Sequence, residues 1–414
     1  MWRILFREFF DDLRAQRKRS LLTGFAVVWG TVAVVLLLAF GEGLKVTARE
    51  GFLGAGEKIF KIYGGTTSLA WEGLPKGRRI RLREADLELL ERSIPEIDAV
   101  SPSYGQGDTE LAVDGVKTTT YMEGVYPAFA TLRHTEPARG GRFLNQRDLE
   151  ERRRVLFLGD EIAVQLFGDD DPVGRTVRLD GLPFTVIGVM REKFQSSMSN
   201  GPDAERAIIP ASTFRALYGR EYVNHLIVRP RSVLEGPRVK AGIYETLGRR
   251  YQFDPADERA LPMWDFIENE KEGRQIFLGI QIFLGLVGAF TLLVAGVGVA
   301  NIMYVLVRER TREIGLKLAV GARRRHVIGQ FVFEAVMITL LGGAVGLALA
   351  AGVVVGVDAI PTESMAMQYI MNPELSWPIA LTAVAILVGI GLAAGILPAR
   401  KAAALDPVES LRYE

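Results

Sequence analysis

A short, strongly basic segment between two long apolar runs constrains this chain more than any other feature. Residues 276–307 contain no charged side chain, and residues 327–357 contain only Glu334. The segment between them, residues 308–326, carries seven Lys or Arg and two Glu. Apolar runs of this length span a bilayer as α-helices, and short basic loops between such helices stay on the cytoplasmic side. The segment is therefore predicted to be a cytoplasmic loop between two membrane helices.

Inside this segment the residues follow a helical spacing. Ile314 and Leu318 lie four residues apart and share one face of a short helix, whereas Arg310, Glu313 and Lys317 fall on its polar part. Two interpretations remain open. The segment is either an amphipathic helix that docks into another protein or an interfacial loop whose charges only set the orientation. Charge and periodicity alone favour the second, because orientation already accounts for the charges.

Two further apolar runs, residues 21–41 and 377–397, bring the number of predicted membrane helices to four. The first follows six Lys or Arg within residues 1–20, whose apolar side chains form one stripe of an amphipathic helix. The loop 358–376 has three acidic residues and no Lys or Arg. Basic residues mark cytoplasmic flanks, so residues 1–20 and the tail 398–414 are both predicted to lie in the cytoplasm.

Residues 42–275 separate the first membrane helix from the second and hold no apolar run of membrane length. Asp-Gly pairs at 114–115 and 180–181 stand between β-rich runs, which is the signal of a tight hairpin. Strand-like and helix-like segments alternate elsewhere, and without cysteine the domain is held by its core alone. Residues 264–275 are expected to form a helical stalk that continues into the second membrane helix.

The predicted fold class is an integral membrane protein with four transmembrane α-helices. A large α+β extracytoplasmic domain, in two lobes, is inserted between the first and second of these helices.

The sequence of the basic segment resembles that of a known family. ERTREIG, AVGARRR and QFVFEA, within residues 309–335, resemble the segment between the second and third membrane helices of MacB-type permeases. These permeases are the membrane subunits of one class of ABC transporter. Residues 82–102 and 141–190 resemble the periplasmic core domain of that family, and PARKAAALDPVESLRYE at 398–414 resembles its ending. The resemblance implies a stand-alone permease subunit without a fused ATPase.

In that family the basic segment is the coupling helix, which sits in a groove of the cytoplasmic ATPase. The resemblance assigns seven residues to this contact: Arg310, Glu313, Ile314, Gly315, Gly321, Ala322 and Arg323. Gly321 also suits the end of a helix. The family often has Arg-Lys where Leu316-Lys317-Leu318 stands here, so the contact lacks one charge.

The apolar run at residues 327–357 contains two further candidate features. Glu334 is expected to pair with Arg325 at the membrane interface rather than to relay protons, because Arg325 is within reach by snorkelling. Gly342, Gly346 and Ala350 are small residues four positions apart. Such a pattern suits either a dimer face or packing within the bundle, and both readings stay open.

Motifs of catalysis are missing from the sequence. No G-x-x-x-x-G-K-[ST] loop occurs, and His134, His225 and His326 are too far apart to form a recognisable metal or catalytic cluster. The three aspartates at 169–171 are read as a polar turn rather than a cation site, since Pro172 follows. We expect a non-catalytic subunit that holds no cofactor or metal, with ATP and Mg²⁺ bound by the partner ATPase.

The resemblance implies the permease of an ATP-driven exporter in the bacterial inner membrane. ATP binding by the ATPase would move the extracytoplasmic domain, and the family exports drugs, peptides, siderophores or lipoproteins. Implied partners are the ATPase, a second copy in a homodimer, a periplasmic adaptor, an outer-membrane channel and membrane lipid, but no nucleic acid. An alternative is a regulatory or signalling subunit that activates an envelope protein or senses peptides. The sequence does not specify the cargo.

Overall fold

The computed structural model describes residues 17–54, 56, 58–193, 201–360 and 373–404. Contacts divide the chain into two compact units. The membrane unit comprises Met1–Thr47 and Gln275–Glu414, and the sheet unit comprises Ala48–Arg274. Each unit is described by itself.

The described chain begins with helix α1 (Arg17–Gly54), which is 38 residues long. Its sequence from Leu21 to Phe40 is uncharged, so most of its length suits a bilayer. The helix does not end after this run, because Gly41 and Gly43 are both helical.

The sheet unit contains nine strands and six α-helices among its described residues. The strands are β1 (Phe60–Tyr63), β2 (Ile97–Val113), β3 (Val116–Val125), β4 (Val155–Leu158), β5 (Thr176–Leu179), β6 (Leu182–Val189), β7 (Arg206–Pro210), β8 (His225–Pro230) and β9 (Met263–Asp265). The helices are α2 (Ala85–Ser93), α3 (Phe129–Leu132), α4 (Gln146–Glu150), α5 (Asp160–Phe167), α6 (Ala211–Tyr218) and α7 (Gly236–Tyr251).

Six of the strands close into a ring in the order β2, β3, β7, β4, β6, β5 and back to β2. The other three, β8, β1 and β9, extend the sheet from the first half of β2. The long strand β2 therefore belongs both to the barrel and to the open part of the sheet. This arrangement confirms the α+β class, and the two expected lobes are two parts of one compact unit.

Both predicted hairpins are present. Asp114 and Gly115 join β2 to β3, and Asp180 and Gly181 join β5 to β6. All four residues have positive φ, at 48°, 88°, 46° and 82° in chain order. Two-residue turns with positive φ at both positions match the twist of the flanking strands, which is why Asp-Gly is favoured there.

The stalk prediction needs a correction at its first residues. Trp264 and Asp265 lie in β9, which pairs with β1, and the next helix begins only at Phe266. The Asp265 carboxylate accepts the backbone N–H groups of Ile267 and Glu268, each at 3.0 Å, and so caps that helix. A strand with a carboxylate at its end therefore replaces the predicted first turn of the stalk.

The rest of the described chain is helical: α8 (Phe266–Glu309), α9 (Thr311–Ala319), α10 (Arg324–Asp358) and α11 (Trp377–Ala403). Helices α1, α8, α10 and α11 are each long and apolar enough to cross a membrane. Helix α11 extends beyond the predicted span, so Arg400 and Lys401 lie in its last turn. The predicted helix within residues 1–20 is described only from Arg17, and the ending 405–414 lies outside the described residues.

Candidate coupling surface

Helix α9 is a nine-residue helix fixed by hydrogen bonds at both ends. One residue, Arg310, separates it from α8, and the Thr311 hydroxyl donates to the Arg308 carbonyl at 2.8 Å. At the other end Gly321 has a φ of 95°, a conformation that costs glycine nothing. The N–H groups of Gly321 and Ala322 then bond the carbonyls of Leu318 and Lys317, each at 3.0 Å. The predicted helix end at Gly321 is confirmed.

The apolar face of α9 packs against the helices of its own chain. Ile314 is only 3% exposed and lies in one apolar cluster with Val307, Val327 and Ala399. Leu318 packs against the same cluster, so the shared face predicted for Ile314 and Leu318 is confirmed. The assignment of Ile314 and Gly315 to an ATPase contact needs correction, because both are buried in the membrane unit.

The opposite face of α9 is exposed and was not predicted to be apolar. Leu316 and Val320, four residues apart, are 56% and 82% exposed. The charged residues Arg312, Glu313 and Lys317 are exposed around them. Two apolar pairs therefore follow the helical spacing, the second ending at Val320 directly after α9. Spacing alone could not tell which pair faces the bundle, since both follow the same i, i+4 rule.

A string of polar side chains ties α9 to α10. The Arg310 guanidinium lies 3.5 Å from the Glu334 carboxylate, which also accepts a hydrogen bond from the Gln330 amide at 3.3 Å. The Lys317 ammonium donates to the Gln330 amide oxygen at 3.3 Å. Glu334 is 4% exposed, so its contact with Arg310 is made largely away from water.

The predicted partner of Glu334 was wrong. Arg325 is exposed, and Arg310 lies beside the carboxylate instead. Arg325 precedes Glu334 by nine residues, or about two and a half turns, so the two side chains leave α10 on opposite sides. Arg310, assigned by resemblance to the ATPase contact, therefore faces α10, while the remaining basic residues of the turn, Arg323 and Arg324, are exposed.

The small residues of α10 pack within the bundle. A Cβ added at Gly342 would lie 2.9 Å from the Val27 side chain of α1, and one at Gly346 would lie 2.7 Å from the Thr31 side chain. Ala350 is fully buried beside Val35. The structure thus decides between the two open readings: these residues allow α1 and α10 to approach closely, and they are not free to form a dimer face.

The acidic turn at residues 169–171 of the sheet unit has a structural role. Asp170 pairs with Arg175 at 3.1 Å, and Asp171 accepts the Val173 N–H at 2.9 Å. Among the residues that the structure describes, no three His, Cys, Asp or Glu are grouped as metal ligands.

Buried charges form a second polar cluster, in the sheet unit, that the sequence did not reveal. Asp203 accepts hydrogen bonds from Arg133 at 2.9 Å and from Lys193 at 2.8 Å. Arg206 lies 3.5 Å from Asp203 and pairs with Glu123 at 2.8 Å. Burial alone would raise the pKa of Asp203, but the three cations outweigh it and hold that pKa well below its usual range.

Taken together, these features define a multi-pass membrane protein with an α+β domain inserted after its first helix and a short exposed helix between two later spans. Comparison with known families gives the same division. Residues 20–243 match the MacB-like periplasmic core domain, and residues 285–407 match the FtsX-like permease C-terminal region.

The chain belongs to the MacB-type permease family, the permease component of ABC transporters. It is 29% identical over 413 residues to a macrolide export ATP-binding/permease protein MacB of Bdellovibrio bacteriovorus, covering 98% of this chain and 61% of that protein. It is 31% identical over 414 residues to the pyoverdine export ATP-binding/permease protein PvdT of Pseudomonas syringae, covering 100% of this chain and 58% of that protein. The chain thus spans about three fifths of the length of these relatives.

Among solved structures, the periplasmic region of MacB from Actinobacillus actinomycetemcomitans is similar, with a TM-score of 0.43 and 18% identity, covering 54% of this chain and 95% of that one. The extracellular domain of the transporter YknZ from Gram-positive bacteria has a TM-score of 0.42 and 15% identity, covering 50% of this chain and 100% of that one.

Proposed function

We propose that this chain is the permease subunit of an ATP-driven exporter and that the outward face of α9 docks into a cytoplasmic ATPase subunit. The observation that carries the proposal is the division of α9 into two faces. Ile314 and the polar string hold the helix to the bundle, while Leu316 and Val320 stay exposed among charged residues. Exposed apolar side chains framed by charges are suited to a protein partner.

We keep Glu313 in the proposed contact, because it is exposed and precedes Leu316 by three residues, which places both on one side of the helix. Gly321, Ala322 and Arg323 lie in the turn that follows, and Arg323 adds a further exposed positive charge. We place α9, the amino-terminal segment and the carboxy-terminal segment on the cytoplasmic side, since the basic residues collect there.

In this proposal ATP and Mg²⁺ bind to the ATPase, and this chain is a non-catalytic subunit. Helices α1 and α8 have 38 and 44 residues, so they are about 57 and 66 Å long. Both exceed the roughly 30 Å of a hydrocarbon core. Because each is continuous in sequence from one unit into the other, both helices are suited to pass motion at α9 to the sheet unit.

The relatives' names support export as the outcome, since they describe export of macrolides and of pyoverdine. We propose that the chain works in the inner membrane as a homodimer, together with an adaptor and an outer-membrane channel where its cargo must leave the envelope.

The first experiment identifies the partner. The tagged full chain is purified from its native membranes in mild detergent, and the subunits that remain bound are identified by mass spectrometry. The proposal expects an ATPase subunit with a phosphate-binding loop in near-equal amount to the permease. Recovery of envelope enzymes or a sensor kinase together with that ATPase would favour the regulatory alternative over export.

The second experiment tests the surface itself. Leu316→Glu places a carboxylate in the apolar stripe, and burying it against a partner should reduce the recovered ATPase by about tenfold or more. The matched control is Leu234→Glu, which adds the same charge at a side chain that is 90% exposed in the sheet unit. Equal ATPase recovery with both variants would exclude the outward face of α9 as the docking surface.

A further inference from the structure

We infer that the buried contact between Arg310 and Glu334 is a positioning link that makes α9 and α10 move as one body. This inference rests on the proposed function, because it says how a push on α9 would reach a membrane helix. Neither residue faces the exposed side of α9, so neither belongs to the docking surface.

The backbone between the two helices does not supply such a link by itself. Only Val320 to Arg323 separate α9 from α10, and Gly321 within this turn has a φ of 95°. The apolar contact of Ile314 holds the helix against the bundle, but hydrophobic contacts are non-directional and do not fix an angle. Hydrogen bonds and ion pairs are directional, so they can fix it.

The polar string meets α9 at both of its ends. Arg310 immediately precedes the first turn of α9, and Lys317 lies in its last turn. Their partners Glu334 and Gln330 are four residues apart and therefore lie on one face of α10. Two attachment points, one at each end of a short helix, prevent it from pivoting about the Gly321 turn. Because Arg310 also follows the last residue of α8, the same pair links the end of α8 and the start of α9 to the third turn of α10.

The burial of the ion pair indicates what it contributes. Glu334 is 4% exposed, and the Arg310 side chain is 16% exposed. A buried ion pair adds little net stability compared with apolar packing of the same volume, whereas it demands one geometry. Such a pair at a helix junction therefore serves position more than stability.

The test measures how narrowly the position of α9 relative to α10 is defined in the full chain. The sequence has no cysteine, so Ala319→Cys and Ala344→Cys give two unique spin-label sites, both exposed, one on each helix. Double electron–electron resonance in detergent then reports the distribution of distances between the labels. The original pair should give one narrow distribution. Glu334→Gln and Arg310→Gln should each broaden it about twofold, since α9 then samples more than one orientation.

A charge exchange separates position from general damage. Arg310→Glu combined with Glu334→Arg restores opposite charges and should return the distribution to the narrow width. Arg312→Gln removes the same charge from the exposed face of α9 and should leave the width unchanged. If Glu334→Gln does not yield monodisperse protein, Gln330→Ala removes the second attachment instead and should also broaden the distribution.

Equal widths in the original chain, both single variants and Gln330→Ala would overturn the inference, as would broadening by Arg312→Gln of the same size. The distances are measured without an ATPase, so their outcome does not depend on docking. Unchanged widths with normal ATPase recovery would remove only the link. If Leu316→Glu lowers the ATPase recovery but leaves the width of the distance distribution unchanged, the result concerns only the docking surface.

Discussion

Both units of this protein bury charged side chains, but they do so in different ways. In the sheet unit Asp203 contacts Arg133 and Lys193, and Arg206 joins it to Glu123. These charges belong to strands and turns of one core. In the membrane unit the contact between Arg310 and Glu334 lies at a helix junction. Charges shared among several partners fix a core, whereas a pair at a junction fixes the angle between two elements.

The largest effect expected from this comparison is on the sheet unit. Asp203→Asn leaves Arg133, Lys193 and Arg206 with one carboxylate fewer, and an uncompensated buried charge should destabilise the unit by about 3–5 kcal/mol. The measurement is urea unfolding of the full chain in detergent, followed by hydrogen exchange of peptides that contain β7. The control Asp170→Asn breaks an exposed pair with Arg175 and should cost about 1 kcal/mol or less. Similar losses in both variants would remove the distinction between the buried cluster and a surface pair.

A pH dependence sharpens the same contrast. His225 is buried in the sheet unit, and neither ring nitrogen has a hydrogen-bond partner among the described residues. Burial, followed by the nearby positive charges of Lys61, Arg133 and Arg206, lowers the pKa of His225 well below its ordinary value of 6.5. Below pH 6.5 the unfolded chain therefore binds a proton at His225 that the native chain does not bind. The free energy of unfolding consequently falls as the pH falls.

The slope from this histidine should approach about 1.4 kcal/mol per pH unit between its ordinary and its native pKa. His225→Phe should flatten the fall in urea midpoint between neutral and mildly acidic pH, because it removes that proton uptake. A slope that is the same in the original protein and in His225→Phe would mean that native His225 takes up its proton over the same pH range as the unfolded chain.

Local signals in the sequence predicted most of the membrane unit. The four apolar runs, the shared face of Ile314 and Leu318, and the helix end at Gly321 all depend on residues close together in the chain. The Asp-Gly hairpins were predicted for the same reason, since a two-residue turn with positive φ is a local requirement.

Contacts between distant residues were not predictable. Arg133 and Asp203 are 70 positions apart, and no local sequence pattern around either residue indicates that it is buried. The pairing of Glu334 with Arg310 was missed because proximity in sequence suggested Arg325, although helical geometry places Arg325 on the other side. The exposed pair Leu316 and Val320 was missed because two equivalent apolar faces cannot be ranked without the bundle.

The central claim is that α9 faces the cytoplasm, and labelling from the outside tests it most directly. Because the chain has no cysteine, Val320→Cys provides a single thiol at a side chain that is 82% exposed, and Leu234→Cys provides another in the sheet unit. A membrane-impermeant maleimide is applied to intact spheroplasts and to opened ones. We predict that the thiol at position 234 reacts in both, while the thiol at position 320 reacts only after opening. Reaction at position 320 in intact spheroplasts would contradict the account.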